Sequence, residues 1–194
     1  MKKYIVSLFF VLLFSLSLPA QDNNSFYHSH SRIFFEFNYH YAWSFAYSCL
    51  LGSHTGFDGD WHLNSLQFIG GYFIVPRLSV GGGIGMEGLS GSPTLPVLID
   101  VKGYLHEKPH TPFAFVTIGK SFHSGDFHQS FKCDIGIGYN LSFTKIALHT
   151  TVSYVYKRIS DMVFYDSGNP LFYTEKKIIP FNFHSISLGV GILF

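Results

Sequence analysis

From Arg32 onward the apolar residues of this chain recur at every second position, in eight separate stretches. Period two places successive side chains on opposite faces of a strand, so the pattern predicts β-strands rather than helices. The stretches are Arg32–Trp43, Ser65–Val75, Leu78–Leu89, Leu95–Glu107, Pro112–His123, Ser130–Phe143, Ile146–Ile159 and Pro180–Phe194. Each reaches the roughly 9 to 11 residues that a tilted strand needs to cross a bilayer. Composition narrows the choice further. With 22 Phe, 12 Tyr and 19 Gly but only 13% charged residues, the chain is too aromatic for an ordinary water-facing surface. Beyond the N-terminal segment no apolar run approaches helical spanning length. A closed barrel is the other structure that satisfies every backbone polar group in lipid.

The connections support an up-and-down order. Gaps after the second, fourth and sixth stretches are short ("VPR", "KPHT", "TK"), whereas most of the others are longer and polar. Short turns on one rim, longer loops on the other and an even strand count form the plan of an outer-membrane barrel. Register can be read across "TK": Phe143 faces Ile146, and the ladder then pairs Leu141 with Leu148, Ile137 with Val152 and Ile135 with Tyr154. All are apolar, while the intervening residues are small or polar. A slip of one residue would exchange the two faces.

The same division assigns a lumen. Ile33, Phe35, Phe37, Tyr39, Tyr41 and Trp43 are expected outward, against Glu36, Asn38 and His40 inward. The inward charges are expected to be Arg32, Glu36, Glu87, Asp100, Lys102, Lys120, Lys132 and Asp134. Lys120 is the arbiter for "PFAFVTIGKSF", a stretch apolar in both phases. Counting from the turn puts it roughly 16 Å into a ~25 Å apolar band, where an outward lysine would cost on the order of 2 kcal/mol, so it is expected to face inward. Eight strands enclose an interior that side chains nearly fill. These charges are therefore expected to pair as a polar plug. Trp43, Tyr41, Tyr154 and Tyr156 on one rim, with Phe143, Phe113 and Phe194 on the other, are expected to form two interfacial girdles.

The N-terminus has two lysines, an apolar core from about Tyr4 to Leu16 and the small residue Ala20. Residues 1–20 are expected to be a signal peptide, 21–31 a short periplasmic segment and 32–194 the barrel. Export would place Cys49 and Cys133 in an oxidising compartment, but the strand assignment sets them too far apart to favour a bridge.

The hairpin "GGYFIVPRLSVGGGIG", the run "PFAFVTIGKSF", the unit "GIGYNLSFTKIALHTTVSYVY" and the terminal "LGVGILF" together resemble the small outer-membrane β-barrel domain family of OmpX or OmpA type. The resemblance implies an eight-stranded antiparallel transmembrane barrel. It also implies that the last strand, with Ile186, Leu188, Val190, Ile192 and Phe194, is read by the barrel-assembly machinery.

Function is less sharply drawn. A net charge of +1 offers no basic field for nucleic acid. His54, Asp58, Asp60 and His62, and again His123, Asp126 and His128, are metal-binding residue types, yet their spacing matches no closed tetrahedral site. They are read as solvated loop residues, and neither a metal nor another cofactor is expected. His149, Thr151 and Ser153 share an inward face without an obvious orienting carboxylate, so no catalytic residue is assigned and the protein is not expected to be an enzyme. A soluble lipocalin-like barrel would reverse the two faces. The expected role is structural or surface-interacting, as a monomer in a Gram-negative outer membrane. The expected partners are membrane lipid and lipopolysaccharide, the assembly machinery and an extracellular ligand held by the long loops. A narrow channel and a lipid-modifying enzyme are the alternatives.

Overall fold

The structure, a computed structural model, describes residues 32–49, 52–55, 62–89, 92–123, 129–143, 146–164 and 177–194. The expected signal peptide and the 21–31 segment lie outside the described residues. Among the described residues nine strands follow one another: β1 (Ile33–Cys49), β2 (Gly52–Thr55), β3 (His62–Val75), β4 (Leu78–Leu89), β5 (Ser92–Tyr104), β6 (His110–His123), β7 (Gln129–Ser142), β8 (Ala147–Phe164) and β9 (Lys177–Leu193). All but β2 form an antiparallel sheet in sequence order that closes where β9 pairs with β1. The fold is thus an eight-stranded, all-antiparallel, closed barrel. Among the described residues short β2 pairs with the upper end of β1, from Ala46 to Cys49.

Closure is made by main chain. Tyr39 opposes Val190 and Phe37 opposes Ile192 along the seam. Phe194 N donates to Phe35 O at 2.8 Å, and Phe35 N donates back to Phe194 O at 3.2 Å. A bulge between Ser44 and Ala46 shifts the β1–β9 register by one residue, the local device by which a barrel strand adjusts its twist. The register expected across "TK" is present: Leu141 opposes Leu148, Ile137 opposes Val152 and Ile135 opposes Tyr154. Phe143 N donates to Ile146 O at 2.7 Å, closing that turn. β1, β8 and β9 extend past the expected Trp43, Ile159 and Pro180 limits to Cys49, Phe164 and Lys177, and at 17, 18 and 17 residues they exceed the roughly 9 to 11 that a tilted strand needs to cross a bilayer.

The barrel is apolar outside. Along β1, Phe35 and Phe37 are 50% and 48% exposed, whereas the intervening Glu36 is 1% exposed. Ile84, Val97, Ile99, Ile135, Ile137 and Val190 extend the exposed belt around the wall. An apolar exterior with carboxylates inside is unfavourable in water and favourable in lipid, so the facing makes this a membrane β-barrel.

The interior is layered, which the alternation pattern had not anticipated. Phe34, Ile69, Phe73, Tyr104, Phe113, Phe115 and Leu193 pack as an apolar floor at the short-turn end. Ala42, Leu63, Val155, Ile159, Phe181 and Phe183 form a second apolar layer toward the long loops. The charged residues lie between them. Glycines admit the floor rings: a Cβ on Gly138 would stand 2.7 Å from Phe113 Cε1, so only glycine lets that ring lie flat against β7. Phe113 therefore belongs to the floor rather than to an interfacial girdle. Phe143 and Phe194 are exposed as expected.

Candidate functional site

The candidate site is the charged belt of the lumen. Glu36, Glu87, Asp100, Lys102, Lys132 and Asp134 are all buried there, each on the inward phase of its strand. The structure gathers them into two clusters and adds Lys157, also buried, which is not among the charges expected inward. Its signal was present: Lys157 continues the inward series Ala147, His149, Thr151, Ser153 on β8.

In the first cluster Lys102 on β5 forms an ion pair with Glu36 on β1, and its Nζ lies 3.3 Å from Asp100 Oδ2. Thr117 Oγ1 donates to Asp100 Oδ1 at 2.6 Å, and Asn38 Nδ2 donates to Glu36 Oε1. His149 Nε2 lies 2.8 Å from Asn38 Oδ1 and 3.5 Å from Glu36 Oε1. Both oxygens accept, so this geometry puts the imidazole proton on Nε2.

The second cluster centres on Glu87 of β4. Its Oε1 accepts from Lys132 Nζ at 2.6 Å, and its Oε2 accepts from Lys157 Nζ at 2.7 Å. Lys132 also lies 3.0 Å from Asp134 Oδ2. Ser65 and Ser121 hydroxyls donate to Glu87 at 3.4 and 3.5 Å. A carboxylate that accepts from two ammonium groups and two hydroxyls has the satisfied surroundings that a buried charge requires.

Two of the expected lumen charges are elsewhere. Lys120 is exposed on the outer wall, its Nζ 6.0 Å from the Phe122 ring centroid. The phase of β6 is the reverse of that expected, with Phe113, Phe115, Thr117, Gly119 and Ser121 inward. Thr117 and Ser121 supply hydroxyls to Asp100 and Glu87, and the two phenylalanines complete the floor. Together these outweigh one outward lysine. Lys120 sits three residues from the β6 end at His123, where the cost of a lipid-facing cation falls toward about 0–1 kcal/mol and its stem can reach the interface. Arg32 is the other correction. It precedes β1, is exposed, and its Nη1 donates to Tyr72 OH at 3.2 Å; turned inward, it would meet the apolar floor.

Around the first cluster the free space is small. A cavity of about 10 Å³ lies among Glu36, His40, Asp100, Asp134, His149 and Thr151, room for about one water. His149 engages Asn38, and the hydroxyls of Thr151 and Ser153 have no hydrogen-bond partner among the described residues. The three therefore do not form a connected nucleophile and base. Among the described residues no group of three or more His, Cys, Asp or Glu side chains is placed to hold a metal. Asp58, Asp60, Asp126 and His128, with the side chains of His54 and His123, lie outside the described residues. Cys133 is a free, half-buried thiol on β7. Ile186, Leu188, Val190 and Phe194 are exposed on the outer wall and Ile192 is partly so, while Ser185, Ser187, Gly189 and Gly191 are buried.

A closed antiparallel barrel with an apolar wall and an ion-paired interior defines a membrane-spanning β-barrel of the small, eight-stranded type. No protein-family model matches the chain, and no curated protein sequence matches it. Among solved structures it is similar to the N-terminal β-barrel domain of Pseudomonas aeruginosa OprF, at 15% identity and a TM-score of 0.45 over 83% of this chain and 97% of that one. It is also similar to Neisserial surface protein A (NspA), at 14% identity and a TM-score of 0.46 over 83% and 96% of the two chains.

Proposed function

We propose that the protein is an integral outer-membrane barrel of a Gram-negative bacterium, with a plugged interior and a structural or surface-interaction role. The observation that carries this reading is the pair of bonds from Glu87 to Lys132 and Lys157, which tie β4 to β7 and β8 across the lumen. Such bonds would have to break before a solute could pass, and their opening would leave buried charges without partners. With transport disfavoured, the long-loop side offers the surface for a ligand, because β1, β8 and β9 carry the chain beyond the span. The outward row Ile186, Leu188, Val190, Ile192 and Phe194 lies on the strand that closes the barrel, which suits it to be read by the assembly machinery.

Planar-bilayer recording tests the plug. The purified protein is expected to give no stable conductance steps, and Glu87→Ala to introduce them. Discrete openings of the unaltered protein, abolished by Lys132→Ala, would instead establish a narrow channel. Cell fractionation tests the location: recovery in the soluble periplasmic fraction would overturn the membrane reading. Assembly of Phe194→Ala is expected to be slower than that of Phe143→Ala, since Phe143 is a rim aromatic on another connection.

A further inference from the structure

Two cations point away from the lumen near the long-loop end of the wall. Lys120 on β6 pairs laterally with Phe131 on β7, and Phe131 with Arg158 on β8. The three make one outward row, and all are exposed. Two inter-strand spacings separate the Lys120 and Arg158 backbones by about 10 Å, so their long side chains can converge on one phosphate-sized anion. Neither has an ion-pair partner among the described residues. The row continues to Asn182 on β9, whose Oδ1 accepts from Tyr156 OH at 2.9 Å. Cations among tyrosine and phenylalanine rings are what the headgroup level of a membrane protein presents.

A second feature lies below this row on the same strands. An open, apolar depression of about 660 Å³ is bounded by Val101, Val116, Ile135, Val152, Tyr154 and Ile186. Its bed contains Gly103 and Ala114, which are lateral partners on β5 and β6. Two small outward residues side by side lower the wall there, and a Cβ on Gly103 would meet nothing within 4 Å. Val116, Ile135 and Tyr154 form a lateral row four residues before Lys120, four after Phe131 and four before Arg158. Four residues span about 13 Å along a strand, and somewhat less along the membrane normal because the strands tilt. That offset suits a lipid whose charged head is at one level and whose chain passes the other.

We propose that this face binds a phosphate-bearing, multiply acylated lipid of the leaflet on the long-loop side. Its phosphate lies between Lys120 and Arg158, and one acyl chain occupies the depression over Gly103 and Ala114. The assignment rests on the membrane reading above and gives its lipid partner a place on the barrel. Two unpaired cations select net negative charge over a zwitterionic head, and the depression selects an acylated ligand over a free anion.

Native mass spectrometry of the full chain released from detergent tests this with three probes: lipid A, phosphatidylcholine of matched chains, and inorganic phosphate. Lipid A is expected to be retained over both others. Affinity is expected to fall roughly tenfold or more in the Lys120→Gln, Arg158→Gln double variant, in line with the contribution of each cation at a membrane surface. Lys120→Arg with Arg158→Lys is expected to keep it. Gly103→Leu, which fills the depression and leaves the charges, is expected to weaken lipid A alone, and circular dichroism of each variant verifies the barrel. Equal binding of lipid A by the double variant, or equal binding of phosphatidylcholine by the unaltered protein, would overturn the proposal. Retention of phosphate as strongly as lipid A would reduce the row to a free-anion site, and unchanged binding by Gly103→Leu would overturn the acyl placement. A protein found in the membrane fraction with no lipid A preference refutes this inference alone, whereas a soluble protein refutes the reading beneath it.

Discussion

Lys132 Nζ lies 2.6 Å from Glu87 Oε1 although the two residues are 45 positions apart, on strands β7 and β4 that share no edge. Their contact crosses the lumen. Lys157 reaches the other oxygen of the same carboxylate from β8, across the full width of the barrel. One glutamate thus joins three parts of the wall, with Asp134 compensating Lys132 a second time.

That arrangement orders the cost of truncation. Glu87→Ala leaves two buried ammonium groups without their shared partner, whereas Lys157→Ala leaves Glu87 still paired with Lys132. Removing one partner of a buried pair costs about 3–5 kcal/mol. Glu87→Ala is expected at or above that range, and Lys157→Ala below it. Equilibrium urea unfolding of the barrel in zwitterionic vesicles measures both, and a larger loss from Lys157→Ala would contradict the shared-carboxylate geometry.

The two lysines Lys120 and Lys132 should respond oppositely to the same substitution. Lys132→Leu deletes a cation that faces Glu87 and Asp134, and a loss of several kcal/mol is expected. Lys120→Leu replaces a wall cation near the rim, with an expected effect between none and a gain of about 1 kcal/mol in vesicles of zwitterionic lipid. Fluorescence adds a check on the facing of β6: Ile118→Trp should be quenched by brominated lipid. Quenching of Thr117→Trp instead would restore the opposite phase.

Phe113 tests the apolar floor. Its ring packs 5.5 Å from that of Tyr104 and 5.8 Å from that of His149, centroid to centroid. Phe113→Ala is expected to cost about 3–5 kcal/mol, since a cavity remains inside a closed wall. Ile137→Ala on the outer face loses only its own transfer into lipid, about 0.8 kcal/mol per methylene, because lipid fills the gap. Similar losses at the two sites would mean the floor is not packed.

Gly191 tests the first cluster. A Cβ built there falls against His149 Cε1 and Asn38 Oδ1, the two groups that hold one side of Glu36. Gly191→Ala is expected to destabilise by about 1–3 kcal/mol through overpacking, and Gly191→Val by more. Gly103→Ala, on the open outer wall, is the control and should leave stability within about 0.5 kcal/mol.

Much of the wall was legible from local pattern. The Leu141–Leu148 to Ile135–Tyr154 ladder and the limits of β4 at Leu78 and Leu89 appear as expected. In those strands one phase is apolar and the other small or polar, so lipid and lumen each select one face. β6 offered no such contrast. Its two phases are both apolar because one faces lipid and the other builds the floor, and a single lysine near the rim carries too little energy to decide between them. Arg32 was misplaced for a related reason: parity assigns a face only within the strand, and the residue ahead of β1 is free to turn outward to Tyr72.

By itself the sequence determined a closed eight-stranded barrel, its lateral register and its apolar exterior. These follow from side-chain period and from the need to satisfy backbone groups in lipid, which act residue by residue. Only the tertiary structure decided which inward charges meet. Followed from strand to strand, the row that starts at Glu36 returns to β1 at Tyr47 rather than at Glu36. This stagger sets the level of every lumen residue. It is the stagger that brings Glu87 level with Lys132 and Lys157, Glu36 with Lys102, and an apolar layer above and below them, and no spacing along the chain encodes it.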